Sequence, residues 1–216
     1  MRLARLALVW MLLLPAAAAR GAVLIEMTVG TEPVRVVIDR PQQRVLIGSG
    51  DRQTWFDLGR GLVYHREGDA AAARAHARYR PGHDRPPSYR IERFGPGPIV
   101  ARQASTYQVL FVDDRICAEM MLSAWMRPFV DPAIQAIALL EQLRGEQAAD
   151  SCAGIPLATY AAAGWPLLAG KSDRPTLATR TIAFDYAPGP DELTPPAAFV
   201  EVPAEELQAA LAGYGW

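Results

Sequence analysis

The chain has 216 residues, of which half are hydrophobic and 21% are charged, and its mean hydropathy of +0.03 excludes wholesale disorder. The formal net charge of −1 leaves no basic excess to neutralise phosphates, which argues against nucleic-acid binding. Eighteen prolines and 17 glycines are too many for a helical bundle and favour a turn-rich β architecture in one domain.

Residues 1–19 have the pattern of a secretory signal peptide. Two arginines precede the apolar run Leu6–Leu14, which is too short to cross a bilayer at roughly 20 residues. The small residues Ala16–Ala19 follow, and we expect cleavage after Ala19 or Ala22. An uncleaved anchor or a buried strand would also explain the run, but the flanking pattern favours export of a periplasmic or secreted bacterial protein with no membrane span in its mature chain.

Cys117 and Cys152 are the two cysteines of the chain. In an oxidising compartment an even pair of cysteines predicts one disulfide. A redox pair or a metal site is less favoured, because there is no Cys-x-x-Cys and neither cysteine has a histidine within five residues.

The first half of the domain alternates apolar and polar residues from Val23 onward, with turn residues about every ten positions. This pattern predicts a meander of five short antiparallel strands over residues 23–66. The arginine- and proline-rich stretch 67–87 is predicted to be a solvated loop insert, with room for one helical turn over Ala70–Arg78.

The second half begins with strands around Tyr89 and with a predicted hairpin from Tyr107 to Met121. A helix is then predicted over Asp131–Arg144, with Asp131 as N-cap, Pro132 at the first helical position and Gly145 just past its end. The wide apolar face of this helix needs a sheet as its partner. Strands over 177–186 and 198–202 and a closing helix from Pro203 to Ala212 complete the prediction of an α+β fold that is mainly antiparallel β.

Catalytic motifs are absent from the sequence: there is no phosphate-binding glycine loop, no Gly-x-Ser-x-Gly and no His-Glu-x-x-His. Among His65, His76 and His83, the pair His83-Asp84 invites a metal site but lacks a spaced carboxylate partner. Asp113-Asp114 is better explained as a hairpin tip than as an acid–base pair, since neighbours on an extended chain point oppositely. We therefore expect no enzyme, no metal and no cofactor, although a triad assembled in space stays open.

Aromatic residues along the strands and the apolar face of the helix have two explanations. Most are expected to be ordinary core. The functional alternative is that some of them line a ligand cavity between a curved sheet and the helix, and the candidates for this lining are Phe56, Tyr89, Tyr107, Phe111, Ile134, Ile137 and Leu140.

The order of these parts resembles a known exported family. The similarity covers most of residues 23–203 and is carried by segments in a fixed order, namely Val34–Asp39, Arg44–Ile47, Trp55–Leu58, Gly61–Tyr64, the strands around Tyr107 and Cys117–Ser123, Pro128-Phe129, Gly154–Leu157, the strand at 177–186 and Phe199–Pro203. In the order of these segments, the chain resembles an uncharacterised family of secreted bacterial proteins. That family in turn resembles the LolA/LolB-like periplasmic lipoprotein carriers. The chain differs from them in the insert 67–87 and in Ala101-Arg102, where a glycine is expected.

The resemblance implies a half-barrel-like sheet curved around the central helix at about 131–144, in one domain over 23–203, with a C-terminal helix and tail over 204–216. The best known members of that fold hold lipid acyl chains in the cup. We therefore expect an exported periplasmic, non-catalytic binding protein for a lipid or another hydrophobic ligand. The alternatives are a cell-envelope structural protein that acts through a protein partner, by the insert or an exposed edge strand, and a hydrolase with an unrecognised site.

Overall fold

The computed structural model describes residues 21–79, 89–144, 152, 161, 163–171 and 174–211. The signal peptide, the second half of the insert, Gly145 and the Gly154–Leu157 motif lie outside the described residues, and so does His83. The described elements are β1 (Ala22–Val29), β2 (Glu32–Asp39), β3 (Arg44–Ser49), β4 (Arg52–Asp57), β5 (Leu62–Glu67), β6 (Ala72–His76), β7 (Tyr89–Pro96), β8 (Thr106–Val112), β9 (Arg115–Ser123), α1 (Arg127–Arg144), β10 (Trp165–Lys171), β11 (Arg174–Tyr186), β12 (Phe199–Glu201) and α2 (Ala204–Leu211).

All twelve strands belong to one sheet with the order β12-β6-β5-β4-β3-β2-β1-β11-β10-β9-β8-β7. Every described neighbour pair is antiparallel except β12 and β6, which are parallel. The sheet is open and uncurled, and its edges, β12 and β7, do not pair with each other. The curved, half-barrel-like sheet expected from the resemblance is therefore not observed. With α1 on the sheet and the short α2 near the C-terminus, the predicted α+β class with mainly antiparallel strands is confirmed.

The predicted five-stranded meander is confirmed as β1 to β5, which pair in sequence order. The prediction of a loop over 67–87 is wrong for Ala72–His76, which form β6 and pair with β5 on one side and β12 on the other. Alanines hide the alternation here: Ala72 and Ala75 are buried, but their small side chains give little period-two hydrophobic contrast.

The hairpin over Tyr107–Met121 is confirmed as β8 and β9. Its tip is Asp113-Asp114, and both aspartates have left-handed backbone angles (φ 49° and 60°), which aspartate tolerates better than most residues. Ala101 and Arg102 also adopt positive φ (48° and 62°), the conformation in which a glycine was expected.

The central helix begins earlier than predicted. A 3-10 turn over Ala124–Met126 leads directly into α1 at Arg127, so Asp131 is not the N-cap and Pro132 lies inside the helix. Asp131 instead lies beside Arg127, four residues earlier, with 3.6 Å between its Oδ1 and the arginine Nε. Asp131 and Pro132 are residue types typical of a helix start, but the helix begins about one turn before them. Within the described chain, no helix is both long and apolar enough to span a membrane.

The sheet buries residues on both faces. The inner face, which carries Val36, Ile47 and Phe56, packs with α1 and α2 in the main apolar core. The outer face carries Val37, Leu46 and Trp55 in a second, smaller apolar cluster together with Leu193. Consecutive apolar residues such as Val36 and Val37, both fully buried, mark the strands that are covered on both sides.

Leu193 belongs to the segment 187–198, which is tied to the outer face by polar contacts of Glu192. The indole of Trp55 donates a hydrogen bond to the backbone carbonyl of Glu192 (3.1 Å), and the hydroxyl of Tyr186 donates to its carboxylate (2.8 Å). Arg35 pairs with the same carboxylate at 2.6 Å. The chain itself thereby covers the outer face of the sheet around Val37, Leu46 and Trp55.

Candidate functional site

One end of the sheet, which we call the rim, is where β1, β3 and β5 begin and where β2, β4 and β11 end. Backbone hydrogen bonds join its loops: Leu58 N–H donates to the carbonyl of Gln43 (3.0 Å) and Ala77 N–H donates to the carbonyl of Gly61 (3.0 Å). The antiparallel meander brings these loops together because each second turn lies at the same end.

A cleft of about 500 Å³ lies at the rim, between α1 and the turn that joins β4 to β5. This volume is within the range of small-molecule sites, about 300 to 1,000 Å³. Its apolar lining is Leu58, Leu62, Ala77 and Leu139, and its polar lining includes Asp57, Arg78, Tyr79 and Gln135. Gln135 and Leu139 are four residues apart on α1, which places them on the same helix face.

Three aromatic side chains also lie at the rim, where β9 leads into α1. Phe129 and Phe184 have ring centroids 5.2 Å apart, and the ring of Trp125 lies 5.6 Å from Phe129 and 5.4 Å from Phe184. We call these residues the aromatic trio. Trp125 is 47% exposed, an unusual state for a tryptophan in contact with two other rings.

The aromatic trio and the cleft are connected along α1. Phe129 and Leu139 are ten residues apart, which is roughly 15 Å of helix. At the Phe129 end, on the β2–β3 turn, Arg40 places its guanidinium carbon 5.2 Å from the ring centroid of Phe129. The rim therefore combines an exposed apolar surface with a neighbouring recess, within the length of a medium acyl chain.

The charged groups at the rim are five arginines, Arg40, Arg44, Arg60, Arg78 and Arg127, against four aspartates, Asp39, Asp57, Asp131 and Asp185. Asp57 lies between Arg44 (4.0 Å) and Arg60 (3.8 Å). Arg40 and Arg78 form no ion pair with a carboxylate in the described part of the chain. The rim thus has a local positive excess in a chain that is slightly negative overall.

None of the predicted cavity-lining residues lines the cleft. Phe56, Ile137 and Leu140 are buried in the main core, and Ile134 packs against it. On β8, Leu110 belongs to the inner face, so its neighbour Phe111 and the residue three positions away, Tyr107, point to the outer face.

Tyr89 lies on the edge strand β7 and is 40% exposed. The ring of Phe111 is covered by the guanidinium of Arg90 at 4.6 Å, and Tyr107 contacts Phe94 with ring centroids 5.7 Å apart. Sequence reasoning selected these residues because they are aromatic. Tyr107 and Phe111 are an odd number of positions from Leu110. The alternation of side chains along a strand would therefore have shown that they do not face the helix.

His65 is buried beside Thr54, with 3.1 Å between its Nδ1 and the threonine Oγ1. Burial lowers the pKa of His65 below its ordinary value; the nearby Glu67 acts in the opposite direction, and Arg52 adds to the lowering. This pair lies inside the sheet and is not in an open crevice. His76 is 3.9 Å from Glu201, and the described ranges contain no group of three or more potential metal ligands.

The lowered pKa of His65 predicts a pH dependence of stability. Below about 6.5, the ordinary histidine pKa, the unfolded chain takes up a proton that buried His65 resists, so the free energy of unfolding falls until the pH passes the lowered folded-state value. We expect the free energy of unfolding of a His65→Gln variant to fall less than that of the wild type as the pH is lowered through this range. Urea unfolding at a series of pH values measures both.

The matched control is His76→Gln, which replaces an exposed histidine and is expected to keep the pH dependence of the wild type. Equal slopes for the wild type and His65→Gln would contradict the assignment to His65.

Comparisons with known proteins leave the family open. No family model matches the chain, and no curated protein matches it. A solved structure of PNGF-II is similar with a TM-score of 0.46 and 6% sequence identity, over 89% of this chain and 33% of that chain. This chain therefore spans about a third of that protein's length, and a similarity at this level supports neither a family nor an activity.

Proposed function

We propose that this protein is an exported, non-catalytic binding protein that holds an apolar chain at the rim, in the cleft between α1 and the β4–β5 turn and across the aromatic trio. The observation that carries the proposal is the position of a recess of about 500 Å³ next to a half-exposed tryptophan–phenylalanine surface. Exposed aromatic surface is stabilised by contact with an apolar ligand, at about 25 cal/mol per Å² removed from water.

Export and the LolA/LolB-like family belong to the same proposal. The Cys117–Cys152 disulfide is compatible with an oxidising compartment. A binding role also suits the sequence, which has no recognisable catalytic motif.

Fluorescence of a neutral apolar dye, N-phenyl-1-naphthylamine, tests the proposal. We expect the purified mature protein, stripped of co-purified lipid, to enhance the dye's emission saturably, with a dissociation constant of about 1–10 μM. Dodecanol is expected to displace the dye. The absence of saturable enhancement would contradict the proposal.

A substitution that fills the cleft separates this site from non-specific binding. Gln135 is exposed on α1 and lines the cleft, so Gln135→Trp places an indole in the recess without altering the core. We expect dye binding to weaken about tenfold, equivalent to about 1.4 kcal/mol. Gln135→Ala is the matched control, which leaves the recess open and is expected to bind like the wild type; equal binding by both variants would place the ligand elsewhere.

A second candidate function is an envelope interaction protein that uses the β7 edge. β7 has β8 as its only strand partner in the described residues, and Phe94 on it is 58% exposed. An unpaired edge is a template for another strand. A photo-crosslinking residue in place of Phe94 is expected to give a defined adduct in cells under this function, whereas one at Thr181, in the middle of the sheet, is not; no adduct from either position would argue against it.

A further inference from the structure

We infer that the chain bound at the rim carries an anionic head group, a carboxylate or a phosphate monoester, and that Arg40 and Arg78 bind it. This inference rests on the proposed function and adds the chemical class of the ligand. Its basis is the two guanidinium groups at the rim that have no carboxylate partner in the described residues.

The other rim arginines are already engaged. Arg44 and Arg60 flank Asp57 at 4.0 and 3.8 Å, and Arg127, at the start of α1, lies 3.6 Å from Asp131. The carboxylate of Asp57, although it lines the cleft, is therefore offset by two cations of its own. Arg40 and Arg78 are the rim arginines without a carboxylate at ion-pair distance among the described residues.

Both arginines make contacts along their side chains. Arg40 lies over the ring of Phe129. Arg78 lies across Gly61, where an added Cβ would come within 2.7 Å of its Nε and 2.8 Å of its Cγ, and the positive φ of 66° at this position favours glycine. A guanidinium held in place loses less conformational freedom when it binds an oxyanion, and its fork of donors matches a carboxylate or a phosphate.

The surroundings select an amphiphile rather than a free anion. Four of the side chains that line the cleft are apolar (Leu58, Leu62, Ala77 and Leu139), and the aromatic trio extends the apolar surface beyond Arg40. A small hydrophilic anion would leave this surface uncovered. A ligand with an apolar tail that covers this surface, and an anionic head group bound by the rim arginines, satisfies both parts.

Displacement of N-phenyl-1-naphthylamine by four compounds that share a twelve-carbon chain tests the inference. We expect dodecanoate or dodecyl phosphate to displace the dye at about tenfold lower concentration than dodecanol, since hydrogen bonds between a guanidinium and an anion are stronger than those of a neutral hydroxyl. Dodecyltrimethylammonium is expected to be the weakest. The ranking of the two anions decides whether the head group is a carboxylate or a phosphate monoester.

The double variant Arg40→Gln, Arg78→Gln is expected to lose the preference for the anions over dodecanol, measured as the ratio of the displacing concentrations within that variant. Arg115→Gln is the matched control: Arg115 begins β9 at the opposite end of the sheet, and its loss is expected to leave the preference intact. Circular dichroism melting of each variant verifies that it is folded.

The outcomes separate this inference from the proposed function. Equal displacement by dodecanoate, dodecyl phosphate and dodecanol in the wild type would overturn the anionic head group and leave the apolar site standing. An anion preference that survives in the double variant would overturn the assignment to Arg40 and Arg78. Failure of the dye itself to bind would remove the proposed function, and the inference with it.

Discussion

Replacement of Trp165 by alanine is expected to lower the free energy of unfolding by about 4 kcal/mol, near the middle of the range for buried aromatic residues. Trp165 begins β10 and is 0% exposed in the main core. Its indole N–H donates to the hydroxyl of Thr179 (3.2 Å), which in turn donates to the carbonyl of Pro166 (2.9 Å). The substitution thus opens a large cavity and removes a hydrogen bond at the same place.

Trp165→Phe separates these two contributions. It keeps most of the ring volume but removes the indole donor, and we expect a loss of about 1–2 kcal/mol. Urea unfolding followed by far-UV circular dichroism measures both variants. A loss below about 1 kcal/mol for Trp165→Ala would contradict the packing of β10 against β11 as described.

Loss of the disulfide is the second large effect. Cys117 on β9 is bonded to Cys152, 35 residues later, and the loop between them contains α1. We expect the double variant Cys117→Ala, Cys152→Ala to lose about 3–4 kcal/mol, because the open loop gains freedom in the unfolded state.

The control for this prediction is the wild type under reducing conditions. Reduction of the disulfide with dithiothreitol is expected to lower the urea midpoint of the wild type toward that of the double variant, and to leave the midpoint of the variant unchanged. An unchanged midpoint for both proteins would show that the bond does not constrain the unfolded chain. Both the double variant and the reduced wild type are also expected to bind apolar dye more weakly than the oxidised wild type, because α1 forms one wall of the cleft.

The elements that could be predicted from the sequence are those with strong local signals. Alternation over Val23–Val29 and Val34–Ile38 correctly predicts the side chains that face the helices, although Leu24 and Val37 on the opposite face are buried as well. The β8–β9 hairpin was visible from Asp113-Asp114. The disulfide followed from an even cysteine count and an expected oxidising compartment.

The misplaced elements are those in which local signals compete. Asp131 and Pro132 form a good helix start by residue type, yet the preceding turn of chain is also helical because Met126 and Val130 are fully buried in the core. β6 was missed because alanine has low strand propensity, and its pairing with β12 joins segments more than 120 residues apart. Such tertiary contacts have no signature within a short window of sequence.

The candidate site lay further beyond prediction. The cleft is formed by three segments, 57–62, 77–79 and 135–139, that are remote along the chain and meet only through the sheet order. Phe184 alternates with Ile182 on the inner face of β11, so its direction was readable, but its contact with Trp125 and Phe129 was not. The unpaired state of Arg40 and Arg78 likewise depends on which carboxylates the fold brings near.

Quenching of tryptophan fluorescence by a dodecanol brominated on its tail tests the central claim most directly, because bromine quenches an indole that it contacts. We expect saturable quenching of the tryptophan fluorescence of the wild-type protein. This quenching is expected to be largely lost in Trp125→Phe, since Trp125 is the exposed ring of the aromatic trio. Saturable quenching of equal depth in the two proteins, or none in the wild type, would contradict an apolar ligand at the rim.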